Sequence, residues 1–598
     1  MTDRKKDDTV QTGQPLSSDS TQDTTSLQIR IRELEKEIAR LHKQIKEQRY
    51  GLTWLDVPEA FETESENKIP ILEEVKEKAI DNGGETTPHI IIEGDNYHAL
   101  SCLNYTHRGK IDVIYIDPPY NTGNDGFTYK DKRFLKEFPD GSPVPKEHPL
   151  RHSYWLSFMS KRLELAKNLL SDKGVIFISI DDNEQANLKL LCDRVFGEEN
   201  FISDVIWHSK YTTSNDSRDI SRQHEHILIY SKDRQHVEIG MLERTEEMNA
   251  AYRNPDNDPK GPWKPTPLHA KSGTPSSLYT ITFPNGHQWQ APKGRYPRYS
   301  KDRLMEIYNE DGLYFNSKGG VDKKTYLSEV KQGKTAGSIW RYDEVGSTHQ
   351  ANEQLAEVLD KGVFDNPKPI QLIKRAILLS NSNNDTSTIL DFFGGSGTTL
   401  HATMKLNAED GGHRQCILVQ QREGDNNICE NVTYERNRRV MCGYTNSKGE
   451  QVEGLGGRLK YYRTAFVGKN ASHNATDADR VELAHKAGYL LSMGENTLEE
   501  IEHTDTYQFF ADNKENATMY TAIFFTENYA KLPEFVAKIE KLQASVEIKD
   551  TLSLPQFNVY IFCWGTPDIF ESEFDDLRGI ALKAIPQPIL DVYKSINQ

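Results

Sequence analysis

Cysteine is scarce: the 598 residues hold six, at positions 102, 192, 416, 429, 442 and 563. They are scattered, with no Cys-x-x-Cys pair and no metal-ligand spacing, which argues against a disulfide scaffold and a cysteine-bound zinc module and suits a reducing cytosol. Long hydrophobic runs are absent too. No apolar stretch approaches about 18 residues, and the polar N-terminus lacks a signal-sequence pattern, so neither a membrane span nor export is expected, and the location implied is cytoplasmic. Positive charge is in deficit, with 73 Lys and Arg against 90 Asp and Glu and a net charge of −17. That total is wrong for a nucleic-acid binder, but distribution matters more than the sum. Finally, no ATPase motif is present: the one glycine-rich turn, at 394–399, continues from Gly397 into Thr398 instead of the lysine a phosphate-binding loop requires.

What is present is concentrated in two stretches. Ile111 to Ile116 is a short apolar run rich in β-branched residues, the composition of a parallel strand buried on both faces. It stops at Asp117-Pro118-Pro119-Tyr120, a rigid turn at the carboxyl edge of a sheet, where open α/β sheets bind ligands. The chemistry suits the exocyclic amine of a nucleobase, whose lone pair is delocalised into the ring. Acceptors aimed at the amine hydrogens, here the Asp117 carboxylate and the Pro118 carbonyl, would localise that pair for attack. Pro119 fixes the turn, and Tyr120 offers a face on which a flat base stacks for about 1–3 kcal/mol. On these four residues alone a simple tight turn explains the pattern equally well. The second stretch, Thr388 to Phe393, reads as another buried strand and runs directly into Gly394-Gly395-Ser396-Gly397-Thr398-Thr399, where glycines let the backbone approach a ligand closely. It is a poor dinucleotide fingerprint, because Leu400 stands where the third glycine belongs.

Together the two stretches resemble the target-base loop and the S-adenosylmethionine loop of amino-methyltransferases acting on DNA. Their order, base loop before donor loop, is that of the β group of those enzymes. Longer matches (Glu93 to Leu100, Asn121 to Asp125, the donor loop through Ala402, Cys416 to Gln420, Asn427 to Val432) are similar to the modification (Mod) subunit of type III restriction–modification systems, with a fainter echo at Ile585 to Leu590. The resemblance covers roughly residues 50 to 470. It implies S-adenosylmethionine as cofactor, held by Asp391, Phe392, Phe393, Gly394, Gly395, Ser396, Gly397 and Thr398. Asp95 would lie beside the adenosine half and Asn366 and Lys368 against the methionine half. Gln420 would face the ribose, where the wider class commonly has an acidic residue. Turn formation alone also explains Asp95, and a surface charge at a helix start also explains Lys368.

Along the chain, residues 1–25 read as a disordered tail and 26–50 as a coiled-coil helix. Leu27, Ile31, Leu34, Ile38, Leu41 and Ile45 give three heptads with Ile at a and Leu at d, suited to a parallel dimer; a helix packed on its own body is the alternative. A first methyltransferase part spans 51–202, with a helix expected around Ile71 to Ile80, a strand at His89 to Glu93, a helix at Trp155 to Leu170 ended by Lys173-Gly174, and a strand at Val175 to Ile180. Asp181 and Asp182 read as caps of the next helix, since methyl transfer from a sulfonium needs no metal. Residues 203–355 read as a DNA target-recognition domain: between Arg253 and Arg341 fifteen Lys and Arg face eight Asp and Glu, interleaved with aromatics. A second methyltransferase part spans 356–475. Residues 476–598 read as an acidic α/β domain that meets a protein more readily than DNA.

The fold expected is α/β, a doubly wound Rossmann-like sheet with an inserted basic region and a small C-terminal α/β domain. The activity expected is methylation of adenine N6 in double-stranded DNA, the base turned out of the duplex, by a homodimer that partners an ATP-dependent restriction (Res) subunit. Cytosine N4 methylation and a non-catalytic DNA-binding scaffold are the alternatives.

Overall fold

The computed structural model describes residues 31, 34, 36, 52–57, 68–83, 87–123, 131–138, 141–214, 217, 219–316, 318–380, 385–422, 426–514, 517–545 and 555–596. The chain divides into two units, Met1–Trp54 and Leu55–Gln598. In the first, Ile31, Leu34 and Lys36 are helical and exposed; the rest of the expected coiled coil, and the tail before it, lie outside the described residues.

The second unit is built on one large sheet. Besides a short strand at Ile80–Asn82 that pairs off the main path, its strands are β1 (Ile69–Glu74), β2 (His89–Glu93), β3 (Ile111–Ile116), β4 (Leu170–Ile180), β5 (Phe201–Trp207), β6 (Glu225–Ser231), β7 (Ile339–Trp340), β8 (Thr388–Asp391), β9 (Gln415–Gln420) and β10 (Gly457–Val467). They lie in the order β1-β10-β2-β9-β8-β3-β4-β6-β5-β7. The six from β10 to β4 run parallel. β1 is antiparallel on one flank; on the other β6 is antiparallel, and β5, antiparallel to β6, returns to the direction of the six. Parallel strands covered on both faces need continuous apolar runs, and β2 and β9 are buried at every position. Each fully buried Ile or Val side chain there contributes roughly 1.5–3 kcal/mol.

Three connections place the site. Helix α1 (Asn96–Thr106) links β2 to β3, α2 (Ser153–Leu169) precedes β4, and α5 (Thr398–Asp410) links β8 to β9, while α3 (Gln185–Phe196) follows β4 and α4 (Ile370–Ser380) precedes β8. β3 and β8 are neighbours, with Ile389 opposite Val113 and Leu390 opposite Ile114. From β8 the chain crosses to β9 on one side; from β3 it crosses to β4 on the other. This divergence opens a crevice at the carboxyl ends of the two strands, the topological switch point of a doubly wound sheet.

Several local expectations need correction. Residues 71–80 are not a helix: β1, one 3-10 turn at Lys76–Lys78 and a short strand at Ile80–Asn82 occupy the stretch. The glutamates and lysines there favour a helix locally, but pairing with β10 buries Ile69, Ile71 and Leu72 and overrides that preference. Helix α2 ends at Leu169, and Lys173-Gly174 lie inside β4. Asp181 and Asp182 do not cap α3, whose N-cap is Glu184; Asp181 Oδ1 instead accepts from the Asn183 N–H at 2.9 Å in a tight turn before the helix.

Within 203–355 the flanking pieces β5, β6 and β7 belong to the central sheet. Between them lies a small subdomain of short strands with helices at Glu246–Ala250 and Lys301–Asn309, the second packed in a core of Leu268, Ile281, Phe283, Trp289, Leu304 and Ile307. Trp263, Trp289, Trp340 and Tyr252 are buried, so those aromatics are structural, while Lys271, Lys293, Arg298, Lys301, Lys318 and Lys331 are exposed. The last region has a five-stranded sheet (Glu499–His503, Tyr507–Ala511, Met519–Phe524, Gln556–Phe562, Ile580–Ile585), with Leu532–Ser545 as the helix between the third and fourth strands, which are parallel. Among the described residues no helix is long and apolar enough to cross a membrane.

Candidate active site

The crevice has a volume of ≈ 270 Å3 and is lined by both turns, Asp117 to Tyr120 after β3 and Asp391 to Ser396 with Thr398 after β8. Two residues that sequence reasoning left out support the first turn. Trp155 Nε1 on α2 donates to the Pro119 carbonyl at 2.7 Å, which ties the turn to a buried indole. Glu225, the first residue of β6, accepts from Tyr120 Oη at 2.9 Å. Tyr120 Oη also lies 2.8 Å from Asp117 Oδ1, so its single proton is shared between two carboxylates. Among the described residues none donates to the Pro118 carbonyl.

Lys368 enters from the turn before α4. Its Nζ donates to Asp117 Oδ2 at 2.7 Å, stands 3.6 Å from Glu225 Oε2 and lies 5.1 Å from the centre of the Tyr120 ring. Burial works to lower its pKa, but the Asp117 and Glu225 carboxylates outweigh it and the net shift is upward. Tyr120 is pushed well above the usual tyrosine range by burial and then by the same two carboxylates. The cluster is therefore a charged Lys, a neutral Tyr and two acids, with one net negative charge between them when both acids are ionised. A sequence reading had no signal for Glu225, which arrives on an antiparallel strand far from the motif.

Beyond Tyr120 the chain is folded back by side chains that mimic turn acceptors. Asp131 accepts from the Asn121 N–H, the Gly123 N–H and the Thr122 hydroxyl at 3.0, 3.1 and 2.6 Å. Glu184 Oε1 accepts from Asn121 Nδ2 at 2.6 Å and lies 2.6 Å from His152 Nδ1. Phe158 is covered by the guanidinium of Arg133 and by that of Arg162, each 3.7 Å from its ring centre.

The second turn is a backbone structure. Gly395 and Gly397 have φ of +50° and +73°, and a Cβ on Gly397 would stand 2.4 Å from Asn437 Nδ2 and 3.0 Å from the Thr433 carbonyl. Three buried groups brace it from beneath: Thr433 Oγ1 donates to the Gly395 carbonyl at 2.6 Å, Asn437 Nδ2 to the Gly397 carbonyl at 3.2 Å, and Arg436 Nη1 to Thr398 Oγ1 at 2.7 Å. Burial lowers Arg436 to about 9. Asp391 accepts from the Phe393 N–H at 2.9 Å and from Thr399 Oγ1 at 2.6 Å. Burial nonetheless raises it from 3.8 to about 7, with Asp117 adding to the rise.

The remaining candidates divide. Asn366, at φ +52°, Phe392, Phe393 and Gln420 line the crevice, although the Gln420 side chain is committed to the loop, accepting from the Gly395 N–H at 2.7 Å. Asp95 is not a lining residue: it caps α1 by accepting from the Tyr97 N–H at 2.8 Å. Its neighbour Asn96 lines the crevice and donates to the Phe392 carbonyl at 2.9 Å. The donor set fits an adenosyl sulfonium. Close-approach glycines face the crevice, a buried acid stands at the strand end, and the walls carry aromatics.

Residues 111–424, which contain both turns, match the model of a family described as DNA methylase. Over 367 residues the chain is 38% identical to the StyLTI Mod subunit of a type III restriction-modification enzyme from Salmonella typhimurium, covering 58% of this chain and 54% of that one. The EcoPI Mod subunit of Escherichia phage P1 is 30% identical, with 64% and 65% of the two chains covered. The type II methyltransferase M.KpnI of Klebsiella pneumoniae is 32% identical, with 56% and 81% covered. The chain thus spans about half the length of the first of these relatives and just under two thirds of the second.

Proposed function

The chain belongs to the DNA methylase family, and from that premise we propose that it transfers a methyl group from S-adenosylmethionine to N6 of adenine in DNA, as the modification and recognition subunit of a type III system. The observation that carries the reading is the single crevice shared by Asp117 and Gly395. The two Mod-subunit relatives support the type III assignment and, with it, adenine as the base and a restriction subunit as partner. The exposed lysines and arginines of the small subdomain supply a surface for phosphates.

Bound donor supplies an electrophilic methyl group on a cationic sulfur. The chain's own residues prepare the nucleophile. An everted adenine stacks on Tyr120, and its amine donates one hydrogen to Asp117 and the other to the Pro118 carbonyl, which localises the nitrogen lone pair. Asp117 gives up a bond to Lys368 or Tyr120 to accept the amine. The methyl group, once donated, would leave the amine with one surplus proton, which Asp117 is placed to accept and pass to solvent. Lys368 and Glu225 are positioning residues: they hold the Asp117 carboxylate and the Tyr120 ring in place, and the cluster's net negative charge complements the sulfonium. The main contributions are proximity and oriented dipoles.

Methylation-aware sequencing of DNA from cells expressing the chain, beside an Asp117→Ala control, tests this. N6-methyladenine at one short site, absent in the control, is the expected result. N4-methylcytosine at that site would move the assignment to the other base, and no modified base together with no S-adenosylmethionine binding would leave a scaffold.

A further inference from the structure

A second constellation lies at the end of β4, at the margin of the crevice, which His224 and Arg222 also line. β6 is antiparallel to β4, with His226 opposite Ile180, so the residue two beyond Ile180 meets the start of β6. Strand alternation puts His224 and His226 on one side and Glu225 on the other. One ligand atom each from Asp182, His224 and His226 fall within 4.8 Å of one another, and Asp182 Oδ1 is 3.8 Å from His226 Nε2.

What surrounds these groups is as telling as their spacing. His226 Nδ1 lies 3.1 Å from Asp204 Oδ1, and Gln185 Nε2 donates to the other oxygen of Asp204 at 2.8 Å. A carboxylate on Nδ1 holds that nitrogen as the donor and turns the Nε2 lone pair towards Asp182, the outer arrangement common behind metal-bound histidine. The other Asp182 oxygen, Oδ2, is ion-paired with Arg222 Nε at 2.8 Å, which leaves Oδ1 towards the histidines and partly balances the charge. His224 has no hydrogen-bond partner among the described residues.

We propose that Asp182, His224 and His226 form a site for a borderline divalent transition ion of the zinc class. Two imidazoles and one carboxylate are a ligand set such ions favour over magnesium or calcium, with a fourth position left for water. The ion would pin the first residues of β6 to the end of β4 and so fix Glu225, on the opposite side of the strand, against Tyr120. The competing arrangement is an imidazolium at His226. Its hydrogen bond to Asp204 raises its pKa against the pull of burial, with Asp182 and Asp181 adding to the rise, while Arg222 faces the same acids.

Equilibrium dialysis of the full chain against zinc, with metal analysis, and the visible ligand-field bands of added cobalt read the site directly. The wild type should bind one ion per chain, and His224→Ala should lose it. Asp204→Asn should weaken it by about 10–100-fold, and Cys442→Ser, at the exposed cysteine, should bind as the wild type does. Circular dichroism checks each variant's fold, and His224→Gln replaces any alanine variant that misfolds. No saturable binding by the wild type, or full binding by both His224→Ala and Asp182→Asn, would overturn the proposal.

Discussion

The two turns that face each other across the crevice end adjacent parallel strands, yet they are built by opposite means. After β3 the functional groups are side chains, and they are held by other side chains: Lys368, Tyr120 and Glu225 around Asp117. After β8 the functional surface is backbone, and buried Thr433, Arg436 and Asn437 hold its carbonyls and hydroxyls. In the function proposed, a small, flat, exchangeable base would be met by acceptors that can swap partners, and a large donor by a braced cradle with no room for a Cβ on Gly397. Substitutions should therefore separate the two turns, by charge on one and by volume on the other.

The largest separation is expected at Asp117. Asp117→Ala should lower kcat by about 10²–10³-fold or more, as removal of one oriented group does in other polar sites, while S-adenosylmethionine binding by calorimetry stays near the wild-type value. Activity within tenfold of wild type would remove Asp117 from the chemistry. Lys368→Met comes next. It strips the cation from between two carboxylates, and breaking a buried pair costs about 3–5 kcal/mol. Urea unfolding should show that loss, with activity falling too because Asp117 is freed to swing. If stability were unchanged, the clamp would not be what holds the first turn.

Volume is the test at the second turn. Gly397→Ala combines a left-handed φ with a Cβ 2.4 Å from Asn437 Nδ2, whereas Gly411 has almost the same φ, +72°, with nothing within 4 Å. Both substitutions should cost about 1–3 kcal/mol for the backbone alone, but only Gly397→Ala should also weaken donor binding. Equal donor affinities in the two variants would mean that the braces beneath the loop have no part in shaping it.

How much of this was readable beforehand follows the same division. β3 and β8 were legible because a strand buried on both faces is a bare run of β-branched residues, and Asp-Pro-Pro-Tyr and the glycines mark where each run stops. Their adjacency is a property of pairing, which local patterns do not encode. Glu225 was invisible because it reaches the site only through the antiparallel β6, and Arg436 because it lies on a helix far beyond the loop it supports. Lys368 was noticed beside the crevice, but its partner was not, since a lysine in a turn looks the same paired or solvated. The misread helix at 71–80 has the same origin: Glu74 is satisfied by Lys460, nearly four hundred residues away, and no local preference anticipates that. Asp95 and Asn96 differ by one position, enough for one to cap α1 and the other to face the crevice.

The finest test lies at Asp391, where the two turns meet electrostatically. Burial raises its folded-state pKa from 3.8 to about 7, while the unfolded chain titrates near the lower value. Between the two, the folded protein holds a proton that the unfolded chain has released. The group's contribution to stability is therefore complete below 3.8 and is lost as pH rises through about 7. A sulfonium in the crevice has the reverse preference, because a nearby cation favours the ionised carboxylate. Unliganded stability should fall and donor affinity should rise over one and the same pH window. Asp391→Asn, which keeps the shape and the bond to the Phe393 N–H but cannot ionise, should flatten both curves. Thermal unfolding and calorimetric titration from pH 5 to pH 8 would show it. A donor affinity that stayed independent of pH in the wild type would place the sulfonium too far from Asp391 for the two turns to share a charge.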